Sequence, residues 1–128
     1  MKTAAEMNEG LRNFYGTENW YRFSPLFPRM LLTDGVKWLA DNAECYWLLD
    51  VIGSHQPKAL KDKKLRDIQF WTLTVHPDHS ATVICERDSG DVAIKQEIEN
   101  TGFPLPEMKL WVEPMGDGQY CIILPSEH

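Results

Sequence analysis

The acid and base side chains that could catalyse a reaction are few and scattered along the chain. Asp50 stands alone in the apolar stretch 46–52. A desolvated carboxylate there could serve as a general base. Most acid–base catalysis needs a second group, which a lone acid does not supply. An edge position on a helix, or a structural hydrogen bond to a backbone N–H, is therefore the favoured interpretation of Asp50.

His55 and Gln96 are the other polar residues that we expect near the core. The predicted strand register points Gln96 into an apolar sheet face opposite Val83, where its amide must find hydrogen-bond partners. Bonding to a loop or a helix end is the favoured role, and lining a small-molecule pocket is the alternative. If the protein is an enzyme, Asp50, His55 and Gln96 are the catalytic candidates to test first.

Two short turns carry groups that can bind metal ions. The turn 76–79 (HPDH) offers two imidazoles and a carboxylate, which are good ligands for zinc or nickel. The turn 88–91 (DSGD) offers oxygen ligands for calcium but lacks the pattern of an EF-hand loop. Pro-Asp and Ser-Gly pairs form ordinary β-turns, so we predict no metal site and no cofactor.

The cysteines show no pattern of a metal or redox motif. Cys45, Cys85 and Cys121 are widely spaced, and the sequence contains no CxxC pair. Activating a thiol needs a neighbouring base, and no histidine can be placed beside them from the sequence. We expect Cys85 and Cys121 to be small buried hydrophobic residues.

One basic cluster could bind phosphate or a nucleic-acid backbone. Asp62 and Asp67 interrupt it, and the chain as a whole carries a net charge of -6. A solvated helix face is therefore favoured over an anion-binding site, and a nucleic-acid partner is disfavoured. The cluster consists of Lys58, Lys61, Lys63, Lys64 and Arg66.

Helical patterns occupy much of the N-terminal half. Thr33 or Asp34 is predicted to cap the first main helix, with a break near 41–42. A second helix over 44–55 is apolar nearly all round and should be central and buried. A third, charged helix or turn follows over 58–67. The aromatic stretch 20–27 is interrupted by prolines and is predicted to be an extended segment.

The C-terminal half has the patterns of strands. Turns at 77–79 and 89–90 set two registers, which pair Leu73 with Val83 and Cys85 with Ile94. Both registers place the apolar residues on the same face. The first turn puts His79 in the left-handed region, with a small strain. We predict strands at 69–76, 80–87, 91–100, 108–113 and 119–124.

These elements predict a single α+β domain over residues 1–128. An antiparallel sheet of about five strands forms its C-terminal half, and the N-terminal helices pack on one face. The last hairpin carries apolar side chains on both faces, more than one core needs. Trp111, Ile122 and Ile123 are therefore the predicted contacts of a homo-oligomer.

Several stretches together resemble a family of small uncharacterised bacterial proteins, catalogued as a domain of unknown function. The resemblance covers nearly the whole chain and implies a compact single-domain bacterial protein. It brings no catalytic residue, ligand or partner, and His79 stands where the family's turn has glycine. The stretches are 33–37 (TDGVK), 46–50 (YWLLD), 69–73 (QFWTL), 96–99 (QEIE), 103–107 (FPLPE) and 124–127 (LPSE).

The sequence favours a non-enzymatic binding or accessory protein, with self-association as an open option. The alternative is a small enzyme or ligand-binding protein with a pocket between the central helix (44–55) and the sheet. No apolar leader precedes the polar N-terminus, and no apolar run is long enough to span a membrane. A soluble cytoplasmic protein without a membrane partner is the expectation.

Overall fold

A seven-stranded mixed sheet forms the centre of the computed structural model, which describes residues 1–128. The helices are α1 (Ala4–Leu11), α2 (Asp34–Ala43), α3 (Tyr46–Ser54), α4 (Gln56–Ala59) and α5 (Lys63–Asp67), with a final 3-10 turn at Pro125–Glu127. The strands are β1 (Trp20–Ser24), β2 (Phe27–Thr33), β3 (Gln69–Val75), β4 (Ala81–Glu86), β5 (Val92–Ile98), β6 (Glu107–Gly116) and β7 (Gln119–Ile123).

The spatial order of the strands is β1-β2-β7-β6-β3-β4-β5. All neighbours pair antiparallel except β2 and β7, which pair parallel. The α+β class is confirmed. The five predicted C-terminal strands are present as β3 to β7 and pair antiparallel with one another. The prediction of the whole sheet is incomplete, because the N-terminal half adds two strands and one parallel pair.

The two missed strands lie in the proline-rich stretch. Pro25 falls in the turn between β1 and β2, where a missing N–H breaks no ladder hydrogen bond. β1 is an edge strand, and edge positions tolerate proline. The stretch 20–27 is therefore extended, as predicted, but it belongs to a hairpin of two paired strands rather than to an isolated segment.

The registers predicted from the C-terminal turns are confirmed. Leu73 pairs with Val83 and Cys85 with Ile94. His79 adopts the predicted left-handed conformation, with φ of 68°. Local turn chemistry was therefore sufficient to set the pairing of β3, β4 and β5.

Val92 departs from the predicted apolar face. The β4–β5 register shifts between Cys85 and Glu86, so Val92 pairs with Glu86 and is 47 % exposed. A bulge of this kind moves the side chains on one side of it to the opposite face of the sheet.

Capping residues set the helix bounds. The Thr33 hydroxyl accepts the N–H of Val36 at the start of α2, as predicted. The break after α2 comes at Glu44, in the left-handed region with φ of 51°. The charged helix or turn predicted over 58–67 contains the end of α4, a turn and the short helix α5, which the Asp62 carboxylate caps separately.

The helices and one sheet face share a core of 26 buried residues. Leu48, Leu49 and Ile52 of α3 are at most 2 % exposed. They fill the space between the central helix and the sheet, where the alternative prediction placed a pocket. No helix is long and apolar enough to cross a membrane.

Candidate functional site

The main cavity with the largest volume lies between the loop that follows α1, the strand β1 and the helix α2. This cleft has a volume of about 770 Å³. We call it the N-terminal cleft, and its lining consists of residues 13–19 with Tyr21, Asp34, Lys37, Trp38 and Asp41.

Asp34 holds the loop that forms one wall of the N-terminal cleft. Its carboxylate accepts hydrogen bonds from the backbone N–H groups of Glu18 (2.9 Å) and Asn19 (3.4 Å). The Asn19 amide (3.3 Å) and the Tyr21 hydroxyl (2.9 Å) also donate to it. The Glu18 N–H contributes most to lowering the pKa of Asp34 below its usual value. Asp34 is therefore a charged but fully engaged anchor.

Trp38 forms the aromatic floor of the cleft. Its ring lies 5.9 Å from that of Phe14, tilted by 47°. A Cβ at Gly10 would stand 2.1 Å from the Trp38 ring, so only glycine lets α1 pack this closely against the indole. Tyr15 is 79 % exposed at the rim. The cleft thus combines a fixed indole with a free phenol ring.

A second polar cluster closes the cleft along α2. Lys37 Nζ lies 2.7 Å from Asp41 Oδ2 and donates to the Tyr46 hydroxyl at 3.2 Å. The Tyr46 hydroxyl in turn donates to Asp41. Lys37 is the main cause of the lowered pKa of Asp41. The two charges largely satisfy each other and leave little unpaired hydrogen-bonding capacity.

The cleft is negatively charged overall. Its lining contains three carboxylates, Glu18, Asp34 and Asp41, against the single ammonium of Lys37, a formal charge of -2. The lowered pKa values keep Asp34 and Asp41 ionised at neutral and mildly acidic pH. The electrostatic field therefore favours a cation in front of the aromatic rings.

The structure brings together two of the three catalytic candidates. His55 Nε2 and Gln96 Oε1 are 2.7 Å apart, with His55 at the end of α3. This confirms the expectation that Gln96 bonds a helix end. Asp50 is exposed on α3 and takes no part. None of the three lines any of the five main cavities.

The predicted dimer contacts are mostly unavailable. Ile122 is fully buried and Ile123 is 2 % exposed. β7 lies inside the sheet, where β2 and β6 pair with its two edges, and the side chains on both of its faces are buried. Trp111 is half-buried, 5.2 Å from the ring of His128. The excess apolar character of this hairpin therefore serves the protein's own fold.

The basic cluster divides between α4, α5 and the turn joining them, and its five side chains are exposed. Asp62, which interrupts it, binds Arg87 Nε at 2.7 Å. Arg66 differs from the four lysines, since it lines a separate cavity together with Arg29 of β2.

Side chains of the two candidate metal turns are bonded to residues just outside the turns. His76 Nε2 lies 2.9 Å from Thr82 Oγ1, and Asp78 accepts from the N–H and hydroxyl of Ser80. In the other turn, Asp91 pairs with Arg87 at 3.0 Å. No group of three or more His, Cys, Asp or Glu side chains is placed to hold a metal ion.

All three cysteines should resist thiol reagents in the folded protein. Cys45, Cys85 and Cys121 are buried, and burial raises the pKa of each thiol to about 12. The thiolate is the reactive form. We expect negligible reaction with Ellman's reagent at about pH 8, and full reaction after unfolding in guanidinium. Rapid labelling of the native protein would contradict the buried placement.

Sequence reasoning missed the N-terminal cleft. The one sequence signal is that Trp38 is a large aromatic residue outside the buried face of α2, which consists of Gly35, Val36, Leu39, Ala40 and Ala43. Phe14 and Tyr15 precede Gly16 in a stretch without a regular period. Their convergence on Trp38 depends on the packing of α1 against α2, which no local pattern specifies.

Comparison with known proteins identifies a family but assigns no activity. No curated protein and no solved structure matches the chain significantly. A family model does match, over residues 5–128. The predicted resemblance is therefore confirmed, and the chain belongs to a family of unknown function (DUF6876).

Proposed function

We propose that this chain is a non-enzymatic binding protein whose N-terminal cleft receives a methylated ammonium group. The observation that carries the proposal is the meeting of aromatic rings and net negative charge in one cleft. Cations bind over the faces of Trp and Tyr rings, more tightly where water is excluded. In keeping with its composition and family resemblance, we place the protein in the bacterial cytoplasm.

The hydrogen bonds already made in the cleft select among cations. Asp34 accepts four hydrogen bonds from the protein itself, and Asp41 is paired with Lys37 and Tyr46. A primary ammonium needs strong acceptors to replace its water shell, and few are free here. A methylated ammonium donates little or nothing and is recognised by rings and field alone.

The same arrangement favours binding over catalysis. Asp34, Lys37 and Asp41 are occupied in holding the loop and the helix together, and no thiol or imidazole lies among the lining residues. A catalytic base or nucleophile must be free to reach its substrate. The ionised groups of this cleft supply a fixed field instead.

Choline and its neutral isostere 3,3-dimethylbutan-1-ol provide the test. Calorimetric titration should show choline binding roughly three- to tenfold more tightly than the alcohol, the range expected for a cation–π contact. A peptide carrying trimethyl-lysine tests whether the group belongs to a partner protein or to a small molecule. Equal affinity for choline and the alcohol, or no binding of any probe, would refute the proposal.

A further inference from the structure

A second cavity, which we call the hairpin pocket, lies where α4 and α5 face the β6–β7 hairpin. Its volume is about 290 Å³, near the lower end for small-molecule sites. It shares no lining residue with the N-terminal cleft. The net charge of its lining is also opposite in sign to that of the cleft.

Two arginines reach the hairpin pocket from different elements. Arg29 comes from β2 and Arg66 from α5. Neither guanidinium has a carboxylate within 4.0 Å, and both side chains are exposed. The Glu113 carboxylate also lines the pocket, but its Oε2 lies 2.9 Å from His128 Nδ1. The formal charge of the lining is therefore +1, with two planar donor groups unpaired.

The inner part of the hairpin pocket is mainly apolar, and the amide of Gln69, which also lines it, is bonded to Gln56 and Trp71. Leu65 and Val112 are 3 % and 2 % exposed, and Leu60 lies beside them. Tyr120 is 7 % exposed, and burial raises its pKa, so its hydroxyl keeps its proton and can donate. An apolar interior beneath two guanidinium groups matches a ligand with an apolar body and an anionic head.

We propose that the hairpin pocket binds a small amphiphilic oxyanion, with Arg29 and Arg66 holding a carboxylate or phosphate head over an apolar body. Guanidinium groups bind both heads through paired, charge-assisted hydrogen bonds. Arg66 thereby becomes the one member of the predicted basic cluster with a site. The four lysines of that cluster remain solvated.

Benzoate, phenyl phosphate and neutral benzamide are suitable probes. Titration of the full chain, followed by the backbone amide signals of Gly116 and Gly118, should show both anions binding and benzamide binding at least about tenfold more weakly. The relative affinities of benzoate and phenyl phosphate identify the preferred head group. Tighter binding at low salt is also expected, since both arginines are exposed.

Arg29→Gln and Arg66→Gln should each weaken benzoate binding about five- to tenfold. Arg12→Gln is the matched control, because it removes the same charge from an exposed arginine outside the pocket. Unchanged affinity in both pocket variants, an equal loss in Arg12→Gln, or no binding of either anion would overturn the proposal. Choline binding at the N-terminal cleft should be unaffected, so the two proposals fail or succeed separately.

Discussion

Replacing Gln69 with Leu should lower the free energy of unfolding by about 2–5 kcal/mol, since it leaves two buried groups without a partner. Gln69 and Gln56 exchange reciprocal amide hydrogen bonds of 2.8 and 2.9 Å. Gln69 Oε1 also accepts the indole N–H of Trp71 at 2.9 Å. All three side chains are at most 2 % exposed, so water cannot replace the lost bonds.

Urea unfolding followed by circular dichroism measures this loss. Gln119→Leu is the matched control, because Gln119 lies on β7 with no side-chain hydrogen bond and should change stability by less than about 0.5 kcal/mol. The double variant Gln56→Leu, Gln69→Leu removes both amides together. It should cost less than the sum of the two single changes, with a coupling of about 1–3 kcal/mol. Strict additivity would show that the pair does not act as a unit.

Replacing Trp38 with Leu should weaken choline binding by about tenfold or more, since it removes the fixed ring from the floor of the N-terminal cleft. Tyr15→Leu should weaken binding about threefold, because one exposed ring is lost from the rim. Tyr15 is 79 % exposed, so its replacement leaves the fold intact even if Trp38→Leu is destabilised.

Trp20→Leu is the control for both changes. Trp20 is 50 % exposed on β1 and does not line the cleft. Calorimetry should give the same choline affinity for Trp20→Leu as for the unaltered chain. An equal loss in Trp20→Leu, or full affinity in both cleft variants, would show that the Trp38 and Tyr15 rings do not bind the cation.

The parts of the fold that could be predicted are those that neighbouring residues determine. The Thr33 cap, the turn at His79 and the pairing of Leu73 with Val83 each depend on a few consecutive residues. The parallel pairing of β2 with β7 joins Leu32 to Ile122 across most of the chain. No local signal reports such a pair, so the sheet was predicted too small.

The site residues also divide into those placed by neighbouring residues and those placed by the packing of distant elements. The turn registers correctly pointed Gln96 inward, and it meets His55. The apolar excess of Ile122 and Ile123 was assigned to a partner because the inner position of β7 was unknown. Trp38 and Arg29 each meet their site neighbours only after distant elements pack together. Sequence patterns therefore identify single residues that could bind or react, but they do not predict which of these residues meet in a cleft.

The most direct test of the proposed binding site is choline titration of ¹⁵N-labelled protein, followed by the indole signals of its five tryptophans. We expect a saturable shift of the Trp38 indole, while the signals of Trp71 and Trp111 stay in place. The isosteric alcohol should produce a much smaller shift at the same concentration. A Trp38 signal that does not move, or a shift confined to Trp111, would contradict the claim that the N-terminal cleft binds a methylated cation.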